Sequence, residues 1–267
     1  MPDQSCCVCQ NALKEDLKFN QFLGTEGTDH RCRICIHCGL IQRSLLPAPD
    51  EPTEGLLYGE YTAGDNSANR RSLMRLDLIR QLLPENGLML DVGAGSGAFV
   101  KEARHQGLSA YGIEMLPQDG VCEWLVNHDI SKAPFLIDGR TFEVINLNHV
   151  LEHVSDPIPF LKGILASLSD SGTLIVEVPN EVRALSIRIK QVLGKKSNSK
   201  TAFLDHRLFF ERRSLINCLE KVGFQVIKAS TPRVCYRNGF IHESFDQFQS
   251  LIGQGNVLEI LARKHNL

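Results

Sequence analysis

The stretch LDVGAGSGAFV, Leu90 to Val100, decides how this chain is read, because its glycines fit two different loops. Taken as Gly93-x-Gly95-x-x-Ala98, it matches the fingerprint of dinucleotide-binding folds with alanine in the third place. Taken as Asp91-x-Gly93-x-Gly95-x-Gly97, it matches a loop that holds the sulfonium nucleotide S-adenosylmethionine. In both readings a strand ends in a glycine turn that opens a helix, so backbone approaches the ligand closely and aims free N–H groups at it. Asp91 separates the two. A carboxylate just before the first glycine repels a pyrophosphate but attracts the ammonium group of a sulfonium cofactor.

Outward from the loop, short apolar runs alternate with helical stretches: LMLDV, a helix from Ala98 to about His105, SAYGIE, EWLVNH, FEVINLN, a helix from about Asp156 to Leu168, and TLIVEV. This rhythm predicts an α/β, doubly wound, Rossmann-like sheet with crossover helices. Ahead of it, Leu73, Met74, Leu76, Leu78, Ile79, Leu82 and Leu83 recur at helical spacing from Ser67 onward, and Pro84 to Gly87 ends that helix. A helix over Arg212 to Val222 and the strand-like FQVIKA continue the pattern. The second strand ends in Glu114, placed to accept from two ribose hydroxyls, and NHDI sets Asp129 after the third strand, where it suits an adenine amino group.

The order LDVGAGSGAFV, YGIE, NHDI, FEVINLNHVLEHVSDP, GTLIVEVPN resembles the class I S-adenosylmethionine-dependent methyltransferases over about residues 70 to 235. The resemblance implies S-adenosylmethionine as cofactor, bound by Asp91, Gly93, Ala94, Gly95, Gly97, Glu114, Met115, Asp129, Ile130 and Asn146. Methyltransferases of this kind often carry a carboxylate or an Asn-Pro-Pro motif near Asn146 to Asn148, and neither is present. Transfer to oxygen or carbon needs a proton removed, and histidine suits that task near neutral pH. His149 is the first candidate base and His206 the second; either could instead be a structural histidine bonded to a carbonyl. His149, Glu152 and His153, spaced i, i+3 and i+4, also resemble the divalent-metal positions of ubiquinone-pathway O-methyltransferases, with histidine where those enzymes carry a carboxylate.

Six of the nine cysteines fall in the first 38 residues. CCVCQ and CIHCGL supply Cys6-x2-Cys9 and Cys35-x2-Cys38, thiolate pairs suited to tetrahedral, structural zinc. Cys7 and Cys32 are surplus and leave Cys32-x2-Cys35 as an alternative register. The implied organisation is a zinc-binding ribbon over 1–45, a connector over 46–66, the methyltransferase domain over 67–238 and a helical extension over 239–267. With the late segment HRLFFERRSLINCLEKVGF, this arrangement resembles bacterial methyltransferases of glycan, deoxysugar and natural-product pathways.

At 43% hydrophobic and 22% charged, with net charge -2, the chain has no electrostatic signature of a nucleic-acid or membrane-surface protein. It begins without a signal-peptide pattern and has no run long enough to span a membrane, so a cytoplasmic protein is expected. Residues 183 to 213 nevertheless hold nine Lys or Arg against Asp205 and Glu211. A small anionic acceptor, a nucleotide-linked sugar, glycan or carrier-bound intermediate, is therefore expected near KQVLGKKSNSK. RNA methylation with the ribbon as nucleic-acid arm is the alternative, but residues 1 to 45 hold five basic and five acidic side chains rather than a basic face. A non-catalytic methyltransferase-like binding protein is a third possibility, and the intact set of Asp91, three glycines and Glu114 argues against it.

Overall fold

The computed structural model describes residues 5–23, 31–43, 66–115, 123–129, 134–136, 139–182, 192, 206–232 and 255–265. Two sheets organise them. The larger is built from β4 (Leu88–Val92), β5 (Ser109–Glu114), β6 (Leu125–Asn127), β7 (Phe142–Asn148), β8 (Leu168–Pro179), β10 (Phe224–Ser230) and β11 (Val257–Lys264). Its strand order is β10-β11-β8-β7-β4-β5-β6. The pairs from β8 to β6 are parallel, and β11 runs antiparallel to both of its neighbours. All five residues of β4 are buried, as expected for a central strand of a parallel sheet covered on both faces. The chain leaves β4 for β5 on one side and later places β7 on the other, so a crevice opens between the C-terminal ends of β4 and β7, the position where this class of sheet binds ligands.

The helices start and stop where local chemistry directs. On α4 (Pro157–Ser167), the Asp156 side chain accepts from the Ile158 N–H and proline occupies the first turn. On α5 (Arg212–Val222), Glu211 and Ser214 form a reciprocal capping box and Gly223 closes the helix at φ 108°. α3 (Ala98–His105) rises directly out of the glycine turn.

The helix expected from Ser67 forms, and the expectation for the last residues is corrected. On α2 (Asn66–Leu82), Leu73 and Met74 point outward, 43% and 55% exposed, while Arg75 is buried beside Leu76 and Ile79. The inward face is set by an ion-pair network rather than by the widest apolar stripe. Residues 257–264, expected within a helical extension, instead form β11. Its Leu, Glu, Ala, Arg and Lys favour helix in isolation, but the slot between β8 and β10 offers hydrogen-bonding neighbours on both edges and buries Val257, Leu258, Ile260, Leu261 and Ala262. Residues 239–254 lie outside the described residues.

The smaller sheet contains β1 (Leu13–Glu15), β2 (Cys32–Cys35), β3 (Ile41–Arg43) and β9 (Leu208–Phe209), in that order. Between β1 and β2, α1 (Leu17–Leu23) puts Phe19 edge-on against Phe209, ring centroids 5.0 Å apart. β9 comes from the far end of the chain, and Ile41 pairs with Phe209. Val8 and Leu40 share a core with Leu208, Phe210 and Leu215. The cysteine-rich segment is therefore stitched into the larger unit and not merely appended to it. Among the described residues, no helix is long and apolar enough to cross a membrane.

Candidate active site and thiol cluster

At the end of β4 the chain turns through Gly93, Gly95 and Gly97 at φ 74°, 54° and 74°. A Cβ on Gly93 would sit 2.6 Å from Val150 Cγ2, so only glycine fits there. The loop is tied to β5: Gly93 and Ala94 N–H donate to the Ile113 carbonyl at 2.9 and 3.0 Å, and Gly95 N–H donates to Glu114 Oε2 at 2.8 Å. Glu114 Oε1 accepts from the Met115 N–H, also at 2.8 Å. Each carboxylate oxygen keeps a further lone pair for a ribose hydroxyl. The Met115 side chain is 50% exposed and Asp129 follows β6, partly buried; Ile130 lies outside the described residues.

Asp91 is fully buried beneath this turn and accepts from Asn146 Nδ2 at 2.7 Å. Asn146, expected to face the cofactor, has its side chain committed to Asp91 and to Arg75, whose Nη1 donates to Asn146 Oδ1 at 3.0 Å. Burial raises the Asp91 pKa to about 6, and Asn146 and Arg75 only partly oppose it. An ammonium ligand would supply the missing positive charge. If the charged Asp91 carboxylate meets the cofactor's ammonium, affinity for S-adenosylhomocysteine should weaken as pH falls through about 6, approaching roughly tenfold per unit below it. Calorimetry between pH 7.5 and 5 should show this slope in wild type and a flatter one in Asp91→Asn; equal slopes would remove Asp91 from the binding role.

His149 directly follows β7 and is a non-glycine residue at φ 55°. Its N–H donates to the Glu177 carbonyl, its Nδ1 lies 3.1 Å from Glu152 Oε1, and its Nε2 lies 3.7 Å from Glu177 Oε1. Burial favours the neutral ring, but Glu152 and Glu177 outweigh it and raise the pKa. Burial likewise opposes ionisation of Glu152, yet His149, His153 and His206 prevail and hold its pKa low. His149, Glu152 and His153 do not share a helical face: His149 precedes a single 3-10 turn, Leu151–His153. His206, immediately before β9, bonds through Nδ1 to both oxygens of Glu181 at 2.9 and 3.0 Å and stacks edge-on with His153 at 4.9 Å.

Sequence reasoning missed the support beneath this edge. Glu177 on β8 and Glu259 on β11 are direct register partners, two like charges facing each other across the strands. Arg71 and Arg75, one turn apart on α2, bridge them: Arg71 bonds both carboxylates, and Arg75 bonds Glu177 and lies 3.5 Å from Glu259. Arg75 and Glu177 side chains are each 3% exposed.

In the N-terminal segment, the thiols of Cys6, Cys9, Cys35 and Cys38 converge, all within 4.8 Å of one another. The Cys6–Cys38 and Cys9–Cys35 sulfur distances are 3.6 and 3.4 Å. Four ligands at about 2.3 Å from a tetrahedral ion would stand roughly 3.8 Å apart, so this donor set fits zinc. Cys7 stays outside the group, and Cys32 is buried with Phe19, Ile41 and Phe209, where burial raises its pKa to about 11. Of the basic segment, Arg183, Arg188, Lys190, Lys195, Lys196 and Lys200 lie outside the described residues. Arg207 donates to Ser155 Oγ at 2.6 Å, and Arg212 and Arg213 are exposed.

Against known proteins, a family profile described as a methyltransferase domain matches residues 66–229, more than half of the chain. Similar solved structures include the Burkholderia thailandensis 1,6-didemethyltoxoflavin-N1-methyltransferase with its acceptor and S-adenosylhomocysteine bound (15% identity, 87% of this chain and 98% of that one, TM-score 0.51). The plantazolicin methyltransferase BpumL, complexed with a triazolic desmethyl analogue and S-adenosylhomocysteine, is 14% identical over 77% of this chain and 87% of that one, TM-score 0.51. An S-adenosylmethionine-dependent methyltransferase from Mesorhizobium loti is 16% identical over 70% and 96%, TM-score 0.50. No curated protein matches the sequence.

Proposed function

This chain belongs to the methyltransferase domain family and is an S-adenosylmethionine-dependent methyltransferase, and on that premise we propose that it methylates an oxygen or carbon of a small, anionic acceptor. The observation that carries this reading is the placement of His149 at the end of β7, in left-handed backbone, beside the cradle made by Asp91, the glycine turn and Glu114. Strained backbone of this kind persists where surroundings hold it and gathers at functional sites. Bound S-adenosylmethionine supplies an electrophilic methyl on a sulfonium. The acceptor must lose a proton as its new bond forms and the sulfur leaves as a thioether. Glu152 holds His149 through Nδ1, which leaves Nε2 as the basic nitrogen to take that proton. Asp91 meets the ammonium and Glu114 the ribose, with Met115, Asp129 and Ile130 around the adenine.

The acceptor's charge is inferred from the basic residues between 183 and 213, which follow β8 in the sequence. The toxoflavin-precursor and plantazolicin enzymes act on small molecules and natural products, which supports an acceptor of that size. A nucleotide-linked sugar or carrier-bound intermediate fits the charge. With such acceptors, changing Lys195, Lys196 and Lys200 together to Ala should raise the Michaelis constant about tenfold or more and flatten its salt dependence, leaving S-adenosylhomocysteine affinity unchanged. Equal turnover of a neutral acceptor by wild type and triple variant would overturn the anionic reading.

Zinc held by Cys6, Cys9, Cys35 and Cys38 has no open position and is structural. Because β9 completes the ribbon sheet, Cys35→Ser should release the zinc and also loosen the segment around His206, lowering acceptor turnover more than cofactor binding. Metal analysis and calorimetry on the variant test both halves.

A further inference from the structure

We propose a second metal site, formed by Glu152, His153 and His206, that takes a divalent transition ion and pins the ribbon sheet to the turn behind His149. One donor atom from each of the three lies within 4.8 Å of the others. Ligands bound at roughly 2.0–2.2 Å to one ion stand about 3–4 Å apart, so small side-chain adjustments close the site. Glu152 is 1% exposed, and its Oε2 is buried with no hydrogen-bond partner while Oε1 faces His149. A buried, unpartnered carboxylate oxygen costs free energy unless a cation meets it, and the donor atoms of two imidazoles converge on this carboxylate.

The surroundings of His206 match those of a metal-bound histidine, whose other ring nitrogen is held by a carboxylate. Glu181, 7% exposed, grips His206 Nδ1 with both oxygens, which fixes the ring and assigns any ligand role to Nε2. The backbone adds its own clamp: Arg207 N–H donates to the Glu152 carbonyl at 2.8 Å, and β9, which follows at once, lies beside the Leu151–His153 turn. The ligands thus come from two segments more than fifty residues apart, one of which continues into the ribbon sheet. Two imidazoles and one carboxylate, with coordination positions left for water or other ligands, select zinc, manganese or iron(II) over magnesium or calcium. The set differs from the spacing-based triad of His149, Glu152 and His153, since His206 takes the place of His149, which pairs with Glu152 Oε1.

Cobalt(II) separates this site from the thiolate cluster, because only the latter gives sulfur-to-metal charge-transfer absorption. Full-length wild-type protein, stripped of metal under reducing conditions and titrated with cobalt, should bind two equivalents, one of them without a thiolate band. His153→Gln and, separately, Glu152→Gln should each lose the second equivalent, weakening it at least about a hundredfold, while the thiolate band stays and reports an intact ribbon. A single equivalent in wild type, or a second equivalent that survives in His153→Gln, would overturn the proposal. Neither result depends on methyl transfer, so the site stands or falls apart from the assigned acceptor.

Discussion

Arg75→Met is expected to destabilise the protein by about 3–5 kcal/mol, the loss seen when one partner of a buried ion pair is removed and the other is left charged. The arithmetic is local. Glu177 and Glu259 face each other across β8 and β11, and two arginines hold them together. Without Arg75, a carboxylate with 3% side-chain exposure keeps Arg71 as its arginine partner, with His149 Nε2 farther off at 3.7 Å, and Asn146 loses the donor to its Oδ1. Urea unfolding at pH 7 measures the loss. If stranded charge is the cause, Arg75→Met with Glu177→Gln should be more stable than the sum of the two single changes by 1 kcal/mol or more. Additive losses would assign the effect to packing alone. The change should also reach the cofactor, because Arg75 helps to keep Asp91 ionised; S-adenosylhomocysteine should bind Arg75→Met more weakly at pH 7 and recover toward higher pH.

How much of this was legible in the sequence depends on the range of the interaction. The glycine turn, Glu114, the caps of α4 and α5 and the paired cysteines are local, and their residues name their own geometry. Arg75 was not legible in this way. In one dimension an arginine on a helix reads as solvated surface, and its partner Glu177 lies 102 positions away inside an apolar strand. The one available signal was Arg71 and Arg75 at i and i+4 with a lone glutamate in TLIVEV, a charge that a buried strand does not carry unpaired. β11 escaped for a related reason: its composition suits a helix, and only the slot between two existing strands makes it extended. His206 was legible as a candidate base but not in its neighbours, since the pairing of Ile41 with Phe209 beside it joins distant parts of the chain.

Gly93→Ala should cost the fold about 2–5 kcal/mol and reduce S-adenosylhomocysteine affinity at least about a hundredfold, which is some 2.7 kcal/mol. Two effects combine. A side chain at φ 74° costs roughly 1–2 kcal/mol, and the new methyl, 2.6 Å from Val150 Cγ2, adds an overpacking cost of about 1–3 kcal/mol. Val150 follows His149 and precedes the Leu151–His153 turn, so relief by moving it would shift His149 as well as the glycine turn. Gly107 supplies the control: it stands at φ 84° with nothing within 4 Å of the position its Cβ would take. Gly107→Ala should show the conformational cost alone and bind cofactor like wild type. Gly93→Ala combined with Val150→Ala removes the clash but not the backbone strain, so it should recover part of the affinity that the single change loses. Wild-type affinity in Gly93→Ala would mean that the ligand does not rest on this turn, whatever the fold above it resembles.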